Sequence, residues 1–361
     1  MIVTKYPSKI HTAFNPVIIE ILKEAEAKAL IKISSAADDI LCSREYFNNV
    51  ATFNLSDKLK KMFRDEVVEI TLGANKIYQD HNLFVEYSVI DWVENSWFLV
   101  GGNVVLDNQM ALNAVVQVGQ SSVVNKQGMF LTNFDLLRYY PGYERMLSCL
   151  SFETGTTYIR FDGENFNSVD VKHFCIPITE HFSVEVSNQN TDPFLRDNQG
   201  RLITANSGVP IEVWSTAPGF IQNIKTIETQ IPSSPFYVKW INQQGGWDYW
   251  MFSHRQYLSR NIANQVVFNP YTEDQLTAKG FAELISIDGI EKVKVGAPSL
   301  NENDYDCVSK LIYSPSIMWF NEETGKWNTI LIEPSDNTKD TRSTFNDLEF
   351  TFSLPTPQLQ F

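Results

Sequence analysis

The chain has 361 residues, enough for two or three domains, and 43% apolar with 20% charged residues excludes global disorder. Its net charge is −14, and acidic residues follow its densest basic stretch, KLKKMFR (58–64), which excludes non-specific nucleic-acid binding. No run approaches 18 uninterrupted apolar residues, so no membrane-spanning helix is expected, and MIVTKYPSKIHTAFNP at the N-terminus has no apolar signal core, so synthesis in a cytoplasm is expected.

Most of the chain reads as short strands. NPVIIEIL (15–22) is a compact apolar run after a proline. KEAEAKALIKI (23–33) has helix-favouring composition, but ALIKIS alternates, and the segment is read as a hairpin arm. SDKLKKMFRDEVV (56–68) is the first helix, with Ser56 as N-cap and Leu59, Met62, Phe63 and Val67 at helical spacing. LFVEYSVIDWV (83–93) and SWFLVGGNVVL (96–106) are strands rich in β-branched and aromatic residues. QMALNAVVQVG (109–119) fits either helix or strand. TTYIRFDGENF (156–166) is a hairpin turning at Asp162-Gly163.

FSVEVSNQ (182–189) alternates, and the polar segment 186–210 is loop with one hairpin. VPIEVWS (209–215), FYVKWIN (236–242) and DYWMFS (248–253) are further strands. NDYDCVSKLIYSP (303–315) is a second helix, with Tyr305, Val308, Leu311 and Ile312 on one face and Pro315 as its stop. The turn-rich 333–347 leads into the alternating tail LEFTFSLPTPQLQF. The expected fold is mainly β, with two β-sandwich or barrel-like domains and a small α/β C-terminal segment. Soft boundaries give an N-terminal β domain (1–160), a central β domain (161–275) and a C-terminal helix-plus-strand segment (276–361).

Motifs for chemistry are sparse. The chain has no G-x-S-x-G elbow and no HExxH pair. His173 and His181 flank Cys175, but HFCIPITEHF reads as a proline-interrupted strand with a structural cysteine and surface histidines. Cys42, Cys149, Cys175 and Cys307 form no CxxC pair and are expected as reduced, buried thiols. LVGGNVV (99–105) lacks the third glycine of a dinucleotide loop and suits a bulge or tight turn. NENDYD (301–306) and TDPFLRDNQG (191–200) carry oxygen ligands without EF-hand spacing. The closing glutamate position of the first is Ile312, and both suit turns or a helix cap. No catalytic residue, metal ligand or cofactor is assigned.

The densest aromatic stretch is KWINQQGGWDYW (239–250). Gly245 and Gly246 break it into two strands, with a connection that can adopt positive φ. Alternation puts Tyr237, Lys239 and Ile241 on one face and Phe236, Val238 and Trp240 on the other. After the turn, Trp247, Tyr249 and Met251 share one face and Asp248, Trp250 and Phe252 the other. The segment reads first as a hairpin that anchors a β domain. As an alternative, Trp240, Trp247, Asp248, Tyr249 and Trp250 form a sugar-stacking surface of a carbohydrate-binding or adhesin module that takes a host surface glycan. A glycoside hydrolase has no carboxylate pair to select among 43 acidic residues.

YVKWINQQGGWDYWMF resembles a pattern in tail proteins of phages and prophages of Bacteroidetes bacteria, W-[IL]-N-x-x-G-G-[WY]-D-x-[WFY]-x-F. It is matched here by Trp240, Ile241, Asn242, Gly245, Gly246, Trp247, Asp248, Trp250 and Phe252. SKIHTAFNPVIIEI, VATFNLSDKLKKMF and YDCVSKLIYSPSIMWFNEETGKWNTILIEP are similar to other parts of such proteins, in the same order. The resemblance implies a virion structural protein of the tail tip, baseplate or connector. It implies no catalytic motif. It also implies a homo-oligomeric ring that joins the tail tube to distal or receptor-binding components, with other tail proteins as partners.

Overall fold

The computed structural model describes residues 2–22, 28–36, 38–63, 78–94, 99–115, 130–151, 156–161, 164–169, 172–178, 183–189, 221–252, 254–268, 283–334, 339–340, 342–354 and 359–360. The fold is mainly β, with two short α-helices among the described residues. The chain forms two compact units. Unit 1 is Met1–Thr229 with Ile241–Asp248, and unit 2 is Gln230–Trp240 with Tyr249–Phe361. The sequence boundaries near 150–170 and 275 do not coincide with this division, which runs at Thr229 and again through the aromatic hairpin.

Unit 1 opens with β1 (Ile2–Lys5), β2 (Ile10–Thr12) and β3 (Ile18–Leu22). β4 (Lys28–Ser35) and β5 (Asp39–Glu45) pair antiparallel, the hairpin arm expected of ALIKIS. β6 (Val50–Asn54) leads into α1 (Ser56–Leu59), which continues as a 3-10 turn over Lys60–Met62. Ser56 is not the N-cap. Leu55 holds that position without a side-chain bond. The Ser56 hydroxyl instead donates to the Asn15 carbonyl at 2.6 Å and accepts from Val17 N at 3.2 Å, tying the entry to β3 onto the helix. Leu59 and Met62 enter the core as their spacing predicts. Residues 64–68 of the expected helix lie outside the described residues.

β7 (Phe84–Glu94) and β8 (Leu99–Leu112) form a long antiparallel pair whose register shifts three times between Tyr87 and Trp92. Gln109–Leu112 of the ambiguous segment is therefore strand. β9 (Leu136–Tyr139), β10 (Met146–Leu150), β11 (Thr156–Phe161), β12 (Glu164–Val169), β13 (His173–Pro177), β14 (Ser183–Gln189) and β15 (Ile221–Glu228) complete the unit. β11 and β12 pair as a hairpin around positions 162 and 163, which lie outside the described residues. The expected strand 209–215 and most of the loop 186–210 lie outside them too.

The sheets run β2-β8-β7-β4-β5, β1-β3-β6, β12-β11-β14-β15-β9 and β10-β13. The first two share one core. Ile19 and Ile21 of β3 and Phe53 of β6 cluster with Ile31 and Ile33 of β4 and Tyr87 and Val89 of β7. The period-2 pattern of β3 and β4 puts these isoleucines on one side, and each is worth about 1.5–3 kcal/mol when fully buried.

Unit 2 holds most of β16 (Phe236–Ile241) and β17 (Trp247–Phe252), then β18 (His254–Phe268) and β19 (Glu283–Leu300). α2 (Glu302–Ser309) follows and tightens into a 3-10 turn over Lys310–Tyr313, ahead of Pro315. Asn301 caps α2, accepting from Asp304 N at 2.8 Å, so NENDYD is a helix start. Tyr305, Val308 and Leu311 are buried, while Ile312 is 44% exposed and lies off the buried face. The 3-10 turn rotates it away, because three residues per turn replace 3.6.

β20 (Ile317–Asn321), β21 (Lys326–Thr329), β22 (Leu331–Ile332), β23 (Asn346–Leu354) and β24 (Leu359–Gln360) finish the chain. The sheets are β17-β16-β20-β21 and β18-β19-β23-β22, with β24 on β19. Phe252, Phe350 and Phe352 meet edge-on or tilted at 5.9–6.2 Å, and Phe236 stacks on Phe352 at 5.7 Å. No helix among the described residues is long and apolar enough to cross a membrane.

Candidate functional site

The β16–β17 hairpin is the most distinctive stretch of the sequence, and its tip is a closed polar network. The Asn242 side-chain oxygen accepts from Gln244 N at 2.8 Å and from Gly246 N at 3.1 Å, while its amide donates to the Leu131 carbonyl at 2.9 Å. Main-chain bonds from Asn242 N to Gly246 O and from Gly245 N to Asn242 O close the turn.

The two glycines do different work. Gly245 has φ +84°, a conformation that costs little only without a Cβ. Gly246 has no positive φ, but a Cβ there would lie 2.0 Å from the Leu131 carbonyl oxygen. One glycine answers a backbone angle and the other a close approach of two chain segments.

Trp247 and Asp248 complete the network inside unit 1. The Trp247 indole N–H donates to Asp80 Oδ2 at 2.7 Å, and both residues are buried. The Asp248 carboxylate accepts from the Thr132 hydroxyl at 2.6 Å on one oxygen. On the other it accepts from the Asn133 amide at 3.2 Å and Asn133 N at 3.4 Å. Burial pushes the Asp248 carboxyl above its ordinary pKa, against the opposing pull of the Thr132 and Asn242 bonds and the Arg145 charge. These donors offset part of the desolvation that a lone buried carboxylate would suffer.

The rest of the hairpin is packed in unit 2. Tyr237 and Tyr249 stack at 5.9 Å, with Trp327 against both. Lys239 sits over the Trp327 ring at 4.3 Å.

Of the five residues considered for a sugar surface, Trp240 is 0% exposed, Trp247 3%, Asp248 0%, Tyr249 1% and Trp250 6%. A stacking platform needs a ring face in water, and none of these rings offers one. The hairpin brings the five together in sequence but spends them on packing and internal hydrogen bonds.

The Cys–His arrangement resolves into packing as well. His173 is not at the surface as expected: it is fully buried and stacks on Phe84 at 4.7 Å, because every residue of β13 is buried. Burial lowers its pKa to about 3, outweighing the Gly245 main chain, so the ring is neutral. Cys175 is buried with its Sγ 3.5 Å from the Ser148 hydroxyl. His181 and the 191–200 segment lie outside the described residues. No cluster of three or more His, Cys, Asp or Glu with metal-site geometry occurs among the described residues.

A small open pocket of about 150 Å³ lies in unit 1 between Ser35, Met62, His81, Phe84 and Glu86. Glu86 is ion-paired with Lys172 at 3.2 Å.

The partners of the hairpin tip are Asp80, Leu131, Thr132, Asn133 and Ser148, none of which the sequence singles out. LTNF (131–134) is a polar doublet between apolar residues, a weak local sign of groups that need internal partners. Comparison with protein-family models, with curated proteins and with solved structures finds no match to this chain.

Proposed function

We propose that this chain is a self-assembling structural subunit of a phage tail, joining the tail tube to distal or receptor-binding components. One observation carries the reading. The residues of the W-I-N-x-x-G-G-W-D stretch, on which the resemblance to tail proteins rests, go into holding a hairpin tip in place. The same residues have no ring face or free carboxylate left over for a ligand, which favours a structural part over a binding site. The mainly β architecture, whose sheets end in terminal strands among the described residues, suits subunits that meet by strand addition and closed symmetry.

The test is to image the purified full chain by negative-stain electron microscopy, alone and after mixing with the products of its neighbouring genes. Closed rings, or incorporation into tail particles, are the expected result. A particle-free monomer under both conditions would overturn the proposal.

A further inference from the structure

Among the described residues, β5 is the terminal strand of the five-stranded sheet β2-β8-β7-β4-β5, and it pairs with β4 over seven residues with no break in register. Natural edges are commonly blunted by proline, an inward lysine or a bulge. β5, DILCSRE, has none of these.

The phase of its free edge follows from the turn. Ser35 N donates to the Asp38 carbonyl at 3.0 Å, closing the β4–β5 hairpin. Strand alternation then turns the main-chain groups of Ile40, Cys42 and Arg44 toward β4. Those of Asp39, Leu41, Ser43 and Glu45 point outward. Leu41 is 51% exposed, and Asp38 and Arg44 are exposed at the two ends.

A second copy of the strand could pair antiparallel about a two-fold axis through one residue of β5, and the charges select the axis. Through Cys42, Asp39, which Lys32 already pairs at 2.7 Å, would face Glu45 twice, and Arg44 would face Ile40, so no opposite charges meet. Through Ser43, Leu41 would face Glu45 and Cys42 would face Arg44. Through Leu41, the two Leu41 side chains meet, Ile40 faces Cys42, Asp39 faces Ser43 and Asp38 faces Arg44 at both ends. Only this last register joins opposite charges, apolar pairs and the outward-pointing main-chain groups at once. Opposed side chains in such a pair stand about 4.5–5.5 Å apart at Cβ, within reach of an ion pair.

We propose that β5 pairs antiparallel with β5 of a second copy about a two-fold axis through Leu41, joining two five-stranded sheets into one. The contact rests on this sheet edge and does not require the tail assignment.

The test is light scattering of the full chain across a dilution series, for the wild type, Arg44→Asp and the double variant Asp38→Arg/Arg44→Asp. The wild type is expected to reach a species of twice the 41.3 kDa chain mass. Arg44→Asp sets carboxylates against each other at both ends and should raise the dissociation midpoint by about tenfold or more. The double variant should restore the wild-type midpoint. Positions 38 and 44 lie roughly 20 Å apart along one extended strand, so the rescue can act only between copies. A monomer at every concentration, a midpoint indifferent to Arg44→Asp, or failure of the double variant to rescue would overturn the proposal. A ring-sized assembly indifferent to both variants would overturn the β5 pair and leave the assembly reading standing.

Discussion

The indole N–H of Trp247 donates to the Asp80 carboxylate at 2.7 Å, joining two buried residues 167 positions apart in the chain. Asp80 uses its other oxygen to accept from Asn82 N, shaping the turn before β7. Trp247→Phe keeps most of the packing but leaves one buried carboxylate oxygen without its donor, which should cost about 1–3 kcal/mol. Trp247→Ala adds a cavity and should cost about 3–5 kcal/mol. Urea unfolding of the two variants beside the wild type measures both, and a cost near zero for Trp247→Phe would remove the bond from the account.

Gly246→Ala should be far more damaging than Gly142→Ala. At Gly246 the new Cβ meets the Leu131 carbonyl oxygen at 2.0 Å, so main chain must shift. At Gly142 the surrounding space is open, and the cost is the positive φ alone. Expected losses are about 3 kcal/mol or more and about 1–2 kcal/mol, read as the difference in urea midpoint.

Two buried groups give opposite pH dependences. The folded His173 has its pKa lowered by burial from 6.5 to about 3. The unfolded chain therefore binds the proton first, and the stability this ring contributes is complete above pH 6.5 and lost as pH falls toward 3. Asp248 is shifted upward by burial. Its contribution is complete below its ordinary carboxyl range and is lost as pH rises through the raised folded value. Stability profiles of His173→Phe and Asp248→Asn against pH check the signs. His173→Phe should gain relative to the wild type as pH falls below 6.5, and Asp248→Asn should gain as pH rises from the carboxyl range.

Ser56→Ala should cost about 1–2 kcal/mol, through the lost tie to Asn15 and Val17 rather than a lost helix cap. Far-ultraviolet dichroism should be unchanged, because α1 is a single turn.

The strands were legible because alternation has a strong physical cause. Ile31 and Ile33 must face one core while Lys28 and Lys32 stay partly in water, and the sequence shows it. The hairpin was legible for the same reason. Ser56 misled, because a serine before an apolar helical pattern also suits a tertiary tie, and Asn15 is 41 residues away. Ile312 misled because the last turn tightens to 3-10 geometry. The aromatic cluster read first as a plug, but its local pattern also suits a platform. Only the distant donors and acceptors Asp80, Leu131, Thr132 and Asn133 decide between them, and no local pattern announces contacts of that range.

Hydrogen exchange of the tryptophan indole N–H groups, followed by NMR, tests most directly whether the hairpin tip is a structural plug. The expected result is that the Trp247 indole proton exchanges only through global unfolding, with a protection that tracks the stability measured in urea. Exchange of that proton at the rate of a solvent-exposed indole in the native protein would contradict the plug and return the hairpin to the surface as a binding face.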